Sequence, residues 1–189
     1  MASLTPTQNL WLIAALAVFI LLLLVFLFRR SIRQVLGEYR IRRAVSRLGS
    51  RLHRELLLPD GLDGYVSADY VVLTHKGILV VKVNHYDGNI FGGPDTDQWS
   101  QVIRGASHRF DNPLHDIRLI CATLRSQVPN TPISGIVLFA GDCRFPKDKP
   151  SGACLLEELP KKPRRQQVPS ALETAWKLFL VRAQQLAPR

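Results

Sequence analysis

Apolar and polar positions divide the chain into three regimes. Residues 10–28 (LWLIAALAVFILLLLVFLF) are apolar and carry no charge. At about 1.5 Å per residue, a helix there reaches roughly 28 Å, close to the thickness of a bilayer's hydrocarbon core. Residues 31–49 (SIRQVLGEYRIRRAVSRLG) take a 3–4 spacing through Ile32, Val35, Leu36, Tyr39, Arg43 and Ala44 with Leu48. This predicts a helix running directly out of the apolar stretch, with Gly49 as its C-cap. The period then changes to two. His53–Leu58 is a strand, ended by Pro59-Asp60-Gly61. Tyr65–Thr74 and Ile78–His85 are rich in β-branched residues and form a hairpin around His75-Lys76-Gly77. Asn89–Phe91 is expected to be a third arm.

A helix opens at Asn112-Pro113, with Asn as N-cap and Pro at the first helical position, and runs to about Ser126. Ile133–Ala140 (ISGIVLFA) is almost wholly apolar, which suits a strand covered on both faces. Residues 160–169 are a polar connector, and Ser170–Leu186 is a final amphipathic helix. Helix, strand, hairpin, helix, strand, helix is the order of a mixed α/β layer whose helices cover a central sheet.

Charge adds an orientation. The chain has 25 Lys+Arg against 15 Asp+Glu, a net of +10. Nine arginines lie within residues 29–58, against only Glu38 and Glu55. Residues 1–9 contain no Lys or Arg, so a cleaved signal peptide is not expected. The reading is a single uncleaved span over 10–28, a short extracytoplasmic tail at 1–9, and a basic juxtamembrane segment at 29–34. The positive-inside rule then puts the remainder in the cytoplasm, as in a bacterial inner-membrane protein. Arg40, Arg42, Arg43, Arg47 and Arg51 are candidates for contact with anionic lipid headgroups or with nucleic acid phosphates. Three widely spaced cysteines, Cys121, Cys143 and Cys154, form no disulfide framework and no zinc motif, which fits a reducing compartment.

Other chemistries are poorly served. The five histidines show no metal-ligand spacing, and no phosphate-binding glycine loop or nucleophile elbow is present. Cys121 falls among apolar helix residues, and Trp99, Trp176 and Phe110 read as core or edge aromatics.

One ordered set of residues remains. ADYVVLTHKGILVVKVNHYDGNIFGG is followed by Trp99 and then by Asp111-Asn112-Pro113-Leu114, with Gly37-Glu38 ahead of them. Over residues 35–140 this set resembles the nuclease-related domain (NERD) family. The resemblance implies a restriction-endonuclease-like fold over residues 35–159, with 160–189 as connector and C-terminal helix. It also implies an active site in which an Asp and a Glu hold Mg²⁺ and a Lys stands two residues after the Glu. Side chains two apart on a strand share a face, so a Glu-x-Lys pair aims both groups at one centre.

The residues at the matching positions depart from that pattern. Glu38 stands at the first-helix Glu and Asp69 at the metal-binding Asp, and these two are the candidate metal ligands. Lys82 occupies the Glu position and Asn84 the Lys position. A Lys for a Glu replaces a ligand by a cation, which repels a divalent ion. The expectation is therefore a degenerate site with no cofactor, in a membrane-anchored domain that binds nucleic acid or a protein partner. Lys82 is expected to bridge to Asp69 or Glu38 in place of the metal. The alternatives are an active Mg²⁺-dependent nuclease with a rearranged site, and a membrane scaffold.

Overall fold

The computed structural model describes residues 6–59, 64–162 and 167–186, with the side chains at 6–10, 12–15, 17, 30, 31, 59 and 184–186 left aside. Two compact units are present, Met1–Arg40 and Ile41–Arg189. The first helix, α1, runs over Pro6–Val45 without a break. The predicted helix over 31–49 is thus the continuation of the apolar stretch, as expected, but it stops four residues early. Gly49 is not a C-cap. Any Cβ there would collide with the Leu73 carbonyl, so the glycine allows the chain to pass against a neighbouring strand.

The apolar side chains of α1 at Leu16 and over Val18–Phe28 are exposed. Among the described residues, no helix is long and apolar enough to cross a membrane. The span expected over 10–28 falls partly on residues whose side chains lie outside that description, and the tail at 1–9 falls largely there too.

In the second unit, β1 (Arg51–Pro59), β2 (Tyr65–Thr74) and β3 (Gly77–Asn84) form an antiparallel meander. The turn between β2 and β3 needs Gly77, whose φ of 137° is open only to glycine. Helix α2 (Pro113–Gln127) carries the chain to β7 (Ile133–Phe139), which pairs parallel with β3. Strand β9 (Ala153–Leu155) adds parallel to β7, giving a five-stranded sheet in the order β1-β2-β3-β7-β9. Helix α3 (Ser170–Leu186) closes the chain.

Both faces of this sheet are covered, which accounts for its long apolar strands. Val71, Leu73, Val80 and Val137 pack beneath Ile117, Ile120 and Leu124 of α2 and Trp176 and Phe179 of α3. Tyr70, Val72, Val81 and Leu138 pack on the other side with Ile41 and Val45, the last residues of α1. Gly135 on β7 lets α2 come close, because a Cβ there would lie 2.5 Å from Ile117 Cγ1 and 2.7 Å from Cys121 Sγ. Cys121 is a buried packing residue, and all three thiols are unpaired by disulfides. Burial and the nearby Asp87 and Asp142 carboxylates push the Cys143 thiol up to about 11.

Asn89–Phe91 is not a third arm of the meander. It belongs to β4 (Gly88–Phe91), part of a second, four-stranded sheet in the order β6-β5-β4-β8. Strands β5 (Gln98–Ile103) and β6 (Ala106–Asp111) form a hairpin, and β8 (Cys143–Arg144) adds parallel to β4. The hairpin turns at Arg104 and Gly105, both left-handed, with φ of 50° and 83°.

Candidate functional site

The matching positions Asp69 and Lys82 meet where the central meander comes apart. The β1–β2 register runs from Arg51↔Leu73 to Pro59↔Tyr65 but skips one pair, Glu55 and Asp69. Glu55 is left-handed, with φ of 53°. The strands turn over at that step. Tyr70 lies in one core, while Ala68, two residues away, lies in the opposite one with Val71. Two strand residues at that spacing would otherwise share a face. The β2–β3 register also stops there, at Tyr70↔Val81.

Beyond that point side chains replace the ladder. The Val83 N–H donates to Asp69 Oδ2 at 2.6 Å, so a carboxylate accepts the bond a strand carbonyl would have accepted. The Lys82 ammonium reaches back across the opening and donates to the Ser67 hydroxyl at 3.1 Å and to its carbonyl at 3.2 Å. The fork is thus held by two side chains crossing it in opposite directions, an acid from β2 and a cation from β3.

Asn84 follows two residues on. Lys82 and Asn84 pair with Val137 and Phe139 of β7, and both partners lie in the core under α2 and α3. Lys82 and Asn84 therefore share a face, as the family's Glu-x-Lys pair would. The Asn84 carbonyl accepts the Ala140 N–H at 2.9 Å. Glu38 lies on α1 within the other compact unit and is exposed.

The expected salt bridge between Lys82 and Asp69 is replaced by these separate bonds. Each group satisfies the opposite strand rather than the other. The physical reason is the unzipping itself. It leaves the half-buried Val83 N–H to Asp69, and an unmet N–H there would cost about 1–3 kcal/mol, while Lys82 crosses to the exposed Ser67.

One Asp69 oxygen is committed to an N–H, and an ammonium stands in place of a second strand carboxylate. Among the described residues, no three His, Cys, Asp or Glu side chains cluster as a metal site. A hard cation needs several oxygen ligands and negative charge.

The arginine candidates divide. Arg42 and Arg43 are exposed near the end of α1, and Arg40 is exposed on the same helix in the first unit. Arg47 is half-buried in the turn after α1. Arg51 is already engaged, with its guanidinium 3.1 Å from Glu173 and its Nε donating to the same carboxylate at 3.2 Å, a clamp between β1 and α3.

The remaining motif residues build a support beside the fork. Asn112 is 1% exposed and caps α2, its Oδ1 accepting the Leu114 N–H at 2.9 Å. Its amide nitrogen donates to the Thr96 carbonyl at 2.7 Å and reaches the Gly93 and Pro94 carbonyls at 3.3 Å. Trp99, also 1% exposed, donates Nε1–H to the Gly93 carbonyl at 3.0 Å. Its ring stacks on Phe139 and meets Phe110 and Phe145 edge-on. The two residues shape the 92–97 loop and hold the small sheet against the large one. Sequence reading found the helix cap but not the loop it ties, since backbone acceptors leave no mark in a residue pattern.

The nuclease-related domain model matches residues 33–140, from the end of the apolar stretch through β7. This is more than half of the chain, and the protein belongs to the nuclease-related domain family. An uncharacterized protein of Bacillus anthracis is 28% identical over 101 residues, covering 49% of this chain and 47% of that one. The match thus spans about half the length of that relative. No solved structure matches the chain significantly.

Proposed function

We propose that this protein is a membrane-anchored, nuclease-related domain that binds nucleic acid without cleaving it. The observation that carries the reading is the fork. Lys82 stands at the family's acidic position and donates to Ser67, while Asp69 accepts the Val83 N–H. Ligands for a catalytic metal are spent on holding two strands together. The element order α1, β1-β2-β3 meander, α2, parallel β7 supports the restriction-endonuclease-like architecture that the resemblance implies.

The membrane part rests on the sequence. A charge-free run at 10–28 precedes nine arginines, and the side chains of that run that are described are exposed on a single continuous helix. In this reading the arginines around 29–43 lie against anionic headgroups and the domain faces the cytoplasm of a bacterial cell.

The test is direct. The full-length chain in detergent is incubated with labelled DNA and RNA in Mg²⁺ and in Mn²⁺. Retardation with intact nucleic acid is expected, falling steeply as salt rises. Cleavage abolished by Asp69→Ala overturns the proposal in favour of an active enzyme. Intact and unretarded nucleic acid at low salt overturns it in favour of protein binding or a scaffold.

A further inference from the structure

The small sheet offers a surface that the family comparison leaves without a role. Alternation along its strands sends Ile90, Trp99 and Cys143 into the large core. The residues between them face the other way. Register places them in two rows. Phe91, Ser100 and Arg109 lie side by side across β4, β5 and β6. Arg144 and Asn89 lie side by side across β8 and β4 in the next row, continuing to Val102 and Ser107.

This outward face is polar apart from one large ring and a valine. Arg109, Arg144, Asn89 and Ser107 are exposed, and Phe91 is only half-buried. A phenylalanine presented on an open, hydrophilic strand face gains little from the fold that placed it there. Adjacent strands lie about 4.8 Å apart, so Arg109 stands roughly 10 Å from Phe91 on one side and Arg144 one strand away on the other. Arg104, at the exposed tip of the β5–β6 hairpin, extends the basic edge. Asp111, paired with Gln98, is an acid at the far end of this face, and Asp87 and Asp142 stand at the opposite end, two residues before Asn89 and Arg144 and tied to each other through the Asp142 N–H.

We infer that the outward face of the small sheet is a platform for single-stranded nucleic acid, with Phe91 stacking a base and Arg109 and Arg144 meeting the adjoining phosphates. The inference rests on the proposed nucleic acid binding and assigns it a surface. Charge complementarity selects a polyanion, and the ring selects among polyanions. A ring on a sheet can stack only on a base whose face is open, which a duplex keeps covered. A sheet with a central aromatic and flanking cations reads bases by stacking and is tolerant of their identity.

The experiment uses full-length protein in detergent with a fluorescent oligothymidine of roughly 20 nucleotides and a duplex of equal length. Tighter binding of the single strand is expected. Phe91→Ala should weaken it about tenfold or more, and Phe91→Tyr should retain it. Arg109→Ala and Arg144→Ala should each lower the slope of log affinity against log salt by about 0.7. These exposed arginine substitutions test the surface even if Phe91→Ala proves poorly folded. Single-strand binding unchanged in all three alanine variants overturns this surface while leaving nucleic acid binding intact. A preference for the duplex also overturns it. Failure of the wild type to bind either probe removes the functional proposal along with it.

Discussion

Trp99→Ala is expected to destabilise the protein by about 3–5 kcal/mol, the range for removing a large aromatic from a packed core. The indole is the shared neighbour of Phe110, Phe139 and Phe145, with ring centroids 6.0–6.2 Å away, and so joins the small sheet to the large one. Its Nε1–H also satisfies the Gly93 carbonyl. Collapse around the void is restricted, because Gly92 lies directly against the indole ring. A domain of this size is stable by only about 5–15 kcal/mol in total, so the variant should sit close to unfolding at 37 °C. Trp99→Phe keeps the ring contacts and loses the hydrogen bond, and should cost about 1–2 kcal/mol. Urea denaturation of the detergent-solubilised chain, followed by circular dichroism, reads both. An unchanged midpoint for Trp99→Ala would remove the indole from its place as the joint between the sheets.

Asn112→Ala is expected to cost about 2–3 kcal/mol. The loss of an N-cap accounts for about 1 kcal/mol. The rest comes from the Thr96, Gly93 and Pro94 carbonyls, which lose their common donor at a site only 1% exposed. Asn112→Asp separates the two roles. An aspartate still caps α2, but it cannot donate, and it sets a negative charge against three carbonyl oxygens. Its cost should equal or exceed that of alanine. If Asn112→Asp were as stable as the wild type, capping alone would explain the residue. The double variant with Trp99→Ala should depart from additivity, since both side chains donate to the Gly93 carbonyl. Both predictions assign family-motif residues to the framework that positions the fork rather than to its chemistry.

Much of that framework was legible in the residues because its local and tertiary preferences agree. The β2–β3 hairpin has β-branched strands and a glycine at the one turn position that demands it. Asn112-Pro113 carries its cap in the sequence itself. The second sheet was not legible. β6 reads ASHRFD, an exposed edge strand with one large apolar residue, and gives almost no period-two signal. Its only mark is Arg104-Gly105, a left-handed pair between two short runs. The end of α1 was misplaced because Gly49 looks like a cap, whereas its small size serves contact with Leu73.

At the fork, sequence placed Asp69 and Lys82 at matching positions but could not give their partners. Opposite charges at facing positions suggest a salt bridge. The structure divides them instead, because the β1–β2 gap falls at Glu55 and Asp69 and the Asp69 carboxylate is taken by the Val83 N–H. A backbone irregularity of that kind depends on two strands together, so no single segment announces it.

Calorimetric titration of the full-length chain with Mn²⁺ tests the fork most directly. The wild type is expected to show no saturable binding, because its acid is occupied and its second ligand position is a cation. Lys82→Glu, which returns a carboxylate to the opening and removes the ammonium, should bind the ion measurably. Saturable wild-type binding that disappears in Asp69→Ala would contradict a metal-free fork and restore the case for a working nuclease.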